Sequence, residues 1–432
     1  MFRLIIKNLW HRRLRNGWLL AELILVTIVS WIILDPVVVD TYDLNRPLGY
    51  DADRLCQIQI SELEEGSIGY DPSRAETGSD DKQRILEKVR RHPQVESATL
   101  LDAAVYPNSN SEVNRTFTRS DSVDVYVAQI WFKPCSDFFK TFGFKSADGT
   151  GSPSTEQLDQ MSFGPSDIII TRSTAAALFP EGSSIIGSEI RSKDYGNGSE
   201  TFRIVGISED VRVQSYSRIS FAMFKIVSDD YTIGSPRLLV RIRPGIDTEQ
   251  FAANFRPWMV RELRSGNMFC RTIDTYSRIN DNAEYQIGGN VITLKKMLAA
   301  FFLINLALGV VGTFWLQTRT RSQEIGVMRS FGATPAHIRA ILICEGMLLT
   351  VFAWITGCII YLQWAIHEGL SDGRIWQYST PFDTGWVCSF WPHFIGVSFI
   401  VLALMLAVVL LGIWLPARKL SRTDPVTVLH EE

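Results

Sequence analysis

Four stretches of this sequence, 18–39, 296–317, 338–363 and 392–415, are each almost wholly apolar. About 20 such residues make a helix long enough to cross roughly 30 Å of hydrocarbon. A mean hydropathy of only +0.07 therefore averages two materials, because residues 40–290 between the first and second stretches have ordinary soluble composition. The expected fold is an α-helical membrane protein with four transmembrane helices plus a large mixed α/β extracytoplasmic domain. The first stretch follows a basic segment, "MFRLIIKNLWHRRLRNG", as a signal peptide would, but it runs on through "WIILDPVVVD" without a small-residue cleavage site, so a retained anchor is expected.

Lys and Arg near the spans set orientation. Residues 1–17 carry Arg3, Lys7, Arg12, Arg13 and Arg15. The segment 318–337 and its flanks carry Arg319, Arg321, Arg329 and Arg339, and the tail 416–432 carries Arg418, Lys419 and Arg422. The remaining loop, 364–390, has Arg374 against Glu368, Asp372 and Asp383. Both termini and 318–337 are therefore expected in the cytoplasm, with 40–290 and 364–390 outside.

A net charge of −3 without a basic face beyond these clusters argues against nucleic acid as a partner. Six cysteines, of which Cys56, Cys135 and Cys270 fall in the soluble part, allow at most one internal bridge there. The six histidines (His11, His92, His337, His367, His393, His430) are scattered. No zinc spacing, no H-E-x-x-H and no G-x-S-x-G elbow occurs, so no catalytic residue, metal or cofactor is expected.

In the soluble part, strands and helices alternate. "RLCQIQI" (54–60) reads as a strand, "DKQRILEKVRRHPQV" (81–95) as a helix ending before Pro93, and "ESATLLDAAVYP" as a strand. "VDVYVAQIWF" (123–132) alternates again, and "PCSDFFKTFGF" reads as a short helix capped by Ser136 with Gly143 past its end. "DIIITRSTAAALFP" is a buried strand and then a helix with Ser173 as its cap; "ETFRIVGISEDV" is another strand. "SPRLLVRIRPG" followed by "TEQFAANFRPWMVRELRSG" repeats the strand-helix order of the opening.

The segment "RSQEIGVMRSFGATPAHI" (321–338) interrupts two apolar stretches with polar and basic residues. Ile325, Met328 and Phe331 recur by threes on a short helix, Gly332 suits its C′ position, and Thr334-Pro335 suits the cap and first position of the next helix. Two settings fit this helix-turn-helix corner: docking on a partner, or lying in the membrane lipid interface.

Together, "DIIITRSTAAALFP…GSEIR…TFRIVGISEDV", "RSQEIGVMRSFGATPAHI" and the tail "LPARKLSRTDPVTVLH" resemble the FtsX/MacB-type permease family of ABC transporters. The resemblance implies a four-span unit with a MacB-like periplasmic core domain in the bacterial inner membrane. It further implies pairing with a second permease copy, as homo- or heterodimer, and drive by a cytoplasmic ABC ATPase subunit. In that family the corner 318–337 is the coupling element, which makes Ile325, Met328 and Phe331 candidate ATPase contacts with Glu324 and Arg329 at their rim. No G-x-x-x-x-G-K-[ST] loop occurs in these 432 residues, so ATP hydrolysis is expected on a separate chain. The functions implied are efflux or extraction of a peptide, antibiotic or lipoprotein with a periplasmic adaptor, or FtsX-like regulation of a cell-wall hydrolase or signalling partner.

Glu22, Glu345 and Asn305 are the candidate functional polar residues inside the spans. Glu22 and Glu345 lie near the starts of their helices, where the helix dipole favours an acid; the expectation for Glu345 is a hydrogen bond between helices or subunits, with a proton pathway as the alternative. Asn305, with Gly309 and Gly312 beyond it, fits a close helix-helix contact as well as ordinary packing.

Overall fold

The computed structural model describes residues 13–420 apart from 75–77, 102–104, 110, 120–122, 135, 181, 194–197, 216–218, 220, 229–235, 284–289 and 372–384. Its contacts divide the chain into a helical unit and a soluble unit.

The helical unit holds α1 (Arg13–Leu44), α8 (Asn290–Arg319), the short α9 (Ser322–Ser330), α10 (Pro335–Glu368) and α11 (Phe390–Leu420). Four of these, α1, α8, α10 and α11, are long and apolar enough to cross a membrane. They extend beyond the apolar stretches of the sequence because a helix continues wherever backbone bonding continues, whether or not its residues are apolar. Their shared core includes Leu23, Trp31, Ala353, Val397, Val401 and Val409. Large side chains such as Leu25, Met297, Phe301, Leu308, Phe399 and Leu411 point outward, an arrangement that hydrocarbon solvates and water does not.

The soluble unit has two lobes. In the first, β1 (Leu55–Glu62), α2 (Gly78–Arg90) and β2 (Val95–Leu101) form one strand-helix-strand unit. A second is formed by β9 (Arg237–Ile242), α6 (Thr248–Glu262) and β11 (Met268–Thr275), with the two-residue β10 (Arg264–Ser265) at the edge. The sheet order is β10-β11-β1-β9-β2, and all its pairs are antiparallel. The two units therefore interleave, each keeping a strand of the other between its own pair, which is the ferredoxin-like split βαβ arrangement. Cys56, Ile58 and Ile60 of β1 pack with Leu86 and Val89 of α2 and Phe251 and Phe255 of α6.

The second lobe is inserted between β2 and β9. It contains β3 (Asn114–Arg119), β4 (Val123–Phe132), α3 (Phe138–Phe142), α4 (Thr155–Gln160), β5 (Asp167–Thr171), α5 (Arg172–Leu178), β6 (Glu189–Ser192), β7 (Thr201–Ser208) and β8 (Ala222–Ile226). Its strands close a barrel in the order β3-β4-β8-β5-β7-β6, which leaves no open edge. Aromatic side chains of this lobe, among them Phe132, Phe139, Phe144 and Phe224, share one core with Tyr50 and with Leu55, Leu101 and Leu239 of the first lobe. The last helix, α7 (Tyr276–Ala283), adds Tyr276 to it.

Two expected caps are corrected. Ser136 does not cap α3, since its hydroxyl donates to the Lys133 carbonyl at 2.7 Å. Amides of the first helical turn donate instead to Asp159 of α4, from Phe139 at 2.9 Å and Lys140 at 2.7 Å. Ser173 lies inside α5, whose cap position is Thr171, and the Ser173 amide donates to Asp210 at 2.8 Å. Gly143 does end α3, with φ +78. Cys56 and Cys270 are free, and burial pushes each thiol up to about 12; Cys135 lies outside the described residues.

Burial raises the Asp159 carboxyl to about 6 despite its two amide donors. A raised native value means that the folded state holds the proton over a range where the unfolded chain has lost it. The stability contributed by this group is thus fully present below about pH 4, is lost as pH rises through about 6 and is level above, a difference of up to about 3 kcal/mol. Asp159→Asn is expected to flatten that part of the pH profile in denaturant titrations of the detergent-solubilised chain.

Arg212 is only 1% exposed and holds the chain just beyond α1. Its guanidinium donates to the carbonyls of Arg46 at 3.0 Å, Leu44 at 3.4 Å and Ser215. Arg212→Met leaves these acceptors without that donor and should cost the soluble unit about 3 kcal/mol. Faster limited proteolysis within 44–50 is the corresponding measurement.

Candidate functional site

The corner between α8 and α10 is built by local rules. Gly332 takes φ +85, a conformation that costs glycine nothing. Its amide donates to Arg329 O at 2.9 Å and the next, of Ala333, to Met328 O at 3.1 Å, so α9 closes in a Schellman motif. Thr334 Oγ1 then accepts from the His337 amide at 3.3 Å and Pro335 takes the first helical position of α10.

This corner is rooted in the helical unit by one ion pair and one apolar side chain. Arg321, at the cap position of α9, donates from Nη1 to Glu345 of α10, and both residues are 7% exposed. Ile325 is 4% exposed within the helical core. The expectation that Ile325 shares a docking face with Met328 and Phe331 is therefore corrected. Each step of three residues on a helix of 3.6 per turn lags by about 60°, so a residue six positions on faces about 120° away. The outward apolar surface is Val327, Met328 and Phe331, the last 88% exposed. Glu324 and Arg329 are half-buried beside it.

The other polar residues of the spans are placed as follows. Glu22 of α1 accepts from Thr313 Oγ1 of α8 at 3.0 Å. Glu345 makes its inter-helix contact as an ion pair with Arg321, whose place in the sequence marks it only as an orienting charge. Asn305 is exposed, and its amide donates to Phe301 O one turn back, at 2.8 Å. A Cβ on Gly309 or Gly312 would meet nothing within 4 Å. Close approach is made instead at Gly357, where a Cβ would fall 2.7 Å from Thr27 Cβ, and at Gly412, 3.1 Å from Val311 Cα.

Sequence comparison agrees with this two-part architecture. Residues 40–257 match the model of the MacB-like periplasmic core domain, and residues 296–425 match the FtsX-like permease C-terminal model. The chain belongs to the FtsX-like permeases with a MacB-like core domain. Curated relatives of this permease include a macrolide export ATP-binding/permease protein MacB from Salmonella paratyphi A, 21% identical over 310 residues, covering 68% of this chain and 42% of the relative. The Escherichia coli K12 protein of the same description is 22% identical over 361 residues, covering 80% and 48%. The permease chain thus spans less than half the length of the relatives it matches. Among solved structures, the periplasmic region of MacB from Actinobacillus actinomycetemcomitans is 12% identical, with coverage of 57% and 99% and a TM-score of 0.30. A domain of a permease protein from Porphyromonas gingivalis is 17% identical, with coverage of 54% and 98% and a TM-score of 0.31.

Proposed function

We propose that this chain is the permease subunit of an ABC transporter in a bacterial inner membrane, passing ATP-driven motion from a separate cytoplasmic ATPase to its periplasmic domain for export or extraction of a peptide, antibiotic or lipoprotein. The observation that carries this reading is the corner: Met328 and Phe331 stand exposed on a helix held rigid by a Schellman turn, a capped successor and a buried ion pair. A lipid-interface helix needs an apolar face but no such root. In this reading α9 enters a groove on the ATPase, with Glu324 and Arg329 at its rim, and a displacement there reaches α10 through Arg321–Glu345.

The distribution of Lys and Arg supports placing α9 and both termini in the cytoplasm, with residues 40–290 in the periplasm. Exposed α8 residues such as Phe301 and Leu308 offer a surface to lipid or to a second permease copy. The names of the curated relatives favour export over hydrolase regulation. The lack of a G-x-x-x-x-G-K-[ST] loop in the 432 residues supports this reading, in which the purified chain should show no ATP turnover above background. Turnover should appear on adding the cognate ATPase. Robust turnover by the chain alone, abolished by no contaminant control, would contradict the assignment.

A further inference from the structure

Successive residues of a strand face opposite sides of its sheet. In β1, Cys56, Ile58 and Ile60 pack toward α2 and α6, so Leu55, Gln57 and Gln59 turn to the other face. At one end that face is apolar and joins the barrel-lobe core through Leu55, Leu101 and Leu239. Further along it becomes polar. Strand pairing sets Asp274 of β11 opposite Gln57, and it sets Thr272 of β11 and Arg237 of β9 on either side of Gln59.

These five side chains line a cavity of about 220 Å³. One water takes roughly 30 Å³, so the cavity has room for a larger molecule. Ser109 and Gln214 of the inserted lobe and Asn282 of α7 supply the facing wall. That wall is held by its own hydrogen bonds. Gln214 Nε2 donates to the Ser109 carbonyl at 3.4 Å, Asn108 Oδ1 accepts the Ser215 amide at 2.7 Å, and Asn108 Nδ2 donates to Tyr50 Oη at 3.3 Å.

The sheet side has unused bonding capacity. Gln57 is 8% exposed; its Oε1 accepts from Arg237 Nη1 at 3.4 Å, and its Nε2 has no acceptor among the described residues. A buried amide nitrogen left in that state is rare. Arg237 also donates to Tyr106 Oη at 2.9 Å. Neither Arg237 nor Asp274 has an ion-pair partner among the described residues.

The two charges are too far apart to satisfy each other. They stand on the strands flanking β1, two residues apart in register. With about 4.8 Å between strands and about 3.4 Å per residue, their backbones lie roughly 12 Å apart, and strand side chains project roughly perpendicular to the sheet. Allowing a hydrogen bond of about 3 Å at each end, a bridging ligand carries its own charges roughly 6 Å apart. An extended chain covers about 3.5 Å per residue, so two residues fit.

We propose that this cavity binds a zwitterionic dipeptide, with its carboxylate on Arg237, its ammonium on Asp274 and its amide carbonyl accepting from Gln57 Nε2 on the strand between them. The site lies within the soluble unit and stands whether or not the chain couples to an ATPase.

Isothermal titration calorimetry of the full chain in lipid nanodiscs tests this with alanylalanine, empty nanodiscs serving as the blank. Alanylalanine should bind. N-acetyl-alanylalanine and alanylalanine amide each lack one charge and should bind at least about tenfold more weakly. Alanine, whose two charges share one α-carbon, should be weakened as much. Asp274→Asn should abolish the advantage of alanylalanine over its acetylated form, and Arg237→Gln its advantage over the amide. General damage to the fold would weaken all four compounds alike and leave these preferences in place. Three results overturn the proposal: no binding of alanylalanine up to about 10 mM, binding of alanine as tight as that of the dipeptide, or wild-type discrimination against the acetylated dipeptide in Asp274→Asn. The last holds even where Arg237→Gln fails to fold.

Discussion

Glu345→Ala is expected to destabilise the helical unit by about 3–5 kcal/mol, the range for breaking a buried ion pair from one side. The substitution strands Arg321, which is 7% exposed and whose Nε has no hydrogen-bond partner among the described residues. Removing the only carboxylate partner of that guanidinium among the described residues leaves a buried charge with nowhere to go, and α9 loses its tie to α10. Glu345→Gln, which keeps an acceptor but no charge, should cost less. Arg321→Met combined with Glu345→Met should recover most of the loss, because an apolar pair of similar volume replaces both charges. Thermal unfolding in detergent and the rate of tryptic cleavage at Arg329 measure these effects. Stability of Glu345→Ala within about 0.5 kcal/mol of wild type would mean that the pair is not buried as described.

The corner was legible because its signals are local. Gly332, Thr334 and Pro335 each act on neighbours within four residues, and the structure places a Schellman turn and a cap at those positions. Its root was not legible, since Arg321 and Glu345 are 24 residues apart and nothing in either's neighbourhood specifies the other. Arg321 looked like one more orienting charge. Spacing by threes drifts around a helix, so it groups Ile325 with Met328 and Phe331 although Ile325 alone of the three is buried. Asp35 of α1 and His393 of α11, 358 positions apart yet hydrogen-bonded, are likewise beyond any reading of periodicity.

Fold followed the same division. Apolar length marks four spans, and alternation marks β1 and β4. Alternation tells which face of a strand is buried but not which strand lies beside it, so the interleaving of β1-α2-β2 with β9-α6-β11 and the closure of the barrel were invisible. That closure rests on the pairing of Phe117 and Thr118 with Ser192 and Arg191, contacts that only the tertiary fold brings together.

Charge placed on the exposed face of α9 should have the largest effect on assembly. Phe331 is 88% exposed and Met328 38%, so neither is needed to hold the chain's own core, and an acidic side chain there is tolerated until a partner covers it. If the pair enters an apolar groove on the ATPase, an unpaired buried carboxylate removes at least about 2 kcal/mol of docking energy, roughly 30-fold in affinity, and more where desolvation is complete. Ile325→Asp would instead damage the helical core and is unsuitable as a probe.

The most direct measurement is co-purification of the ATPase from membranes containing equal amounts of wild type, Met328→Asp and Phe331→Asp, with Val123→Asp, an exposed apolar site in the soluble barrel lobe, as control. Wild type and Val123→Asp should retain the ATPase while both corner variants lose it and keep wild-type thermal stability. Retention of the ATPase by Met328→Asp and Phe331→Asp at wild-type levels would contradict docking at this corner.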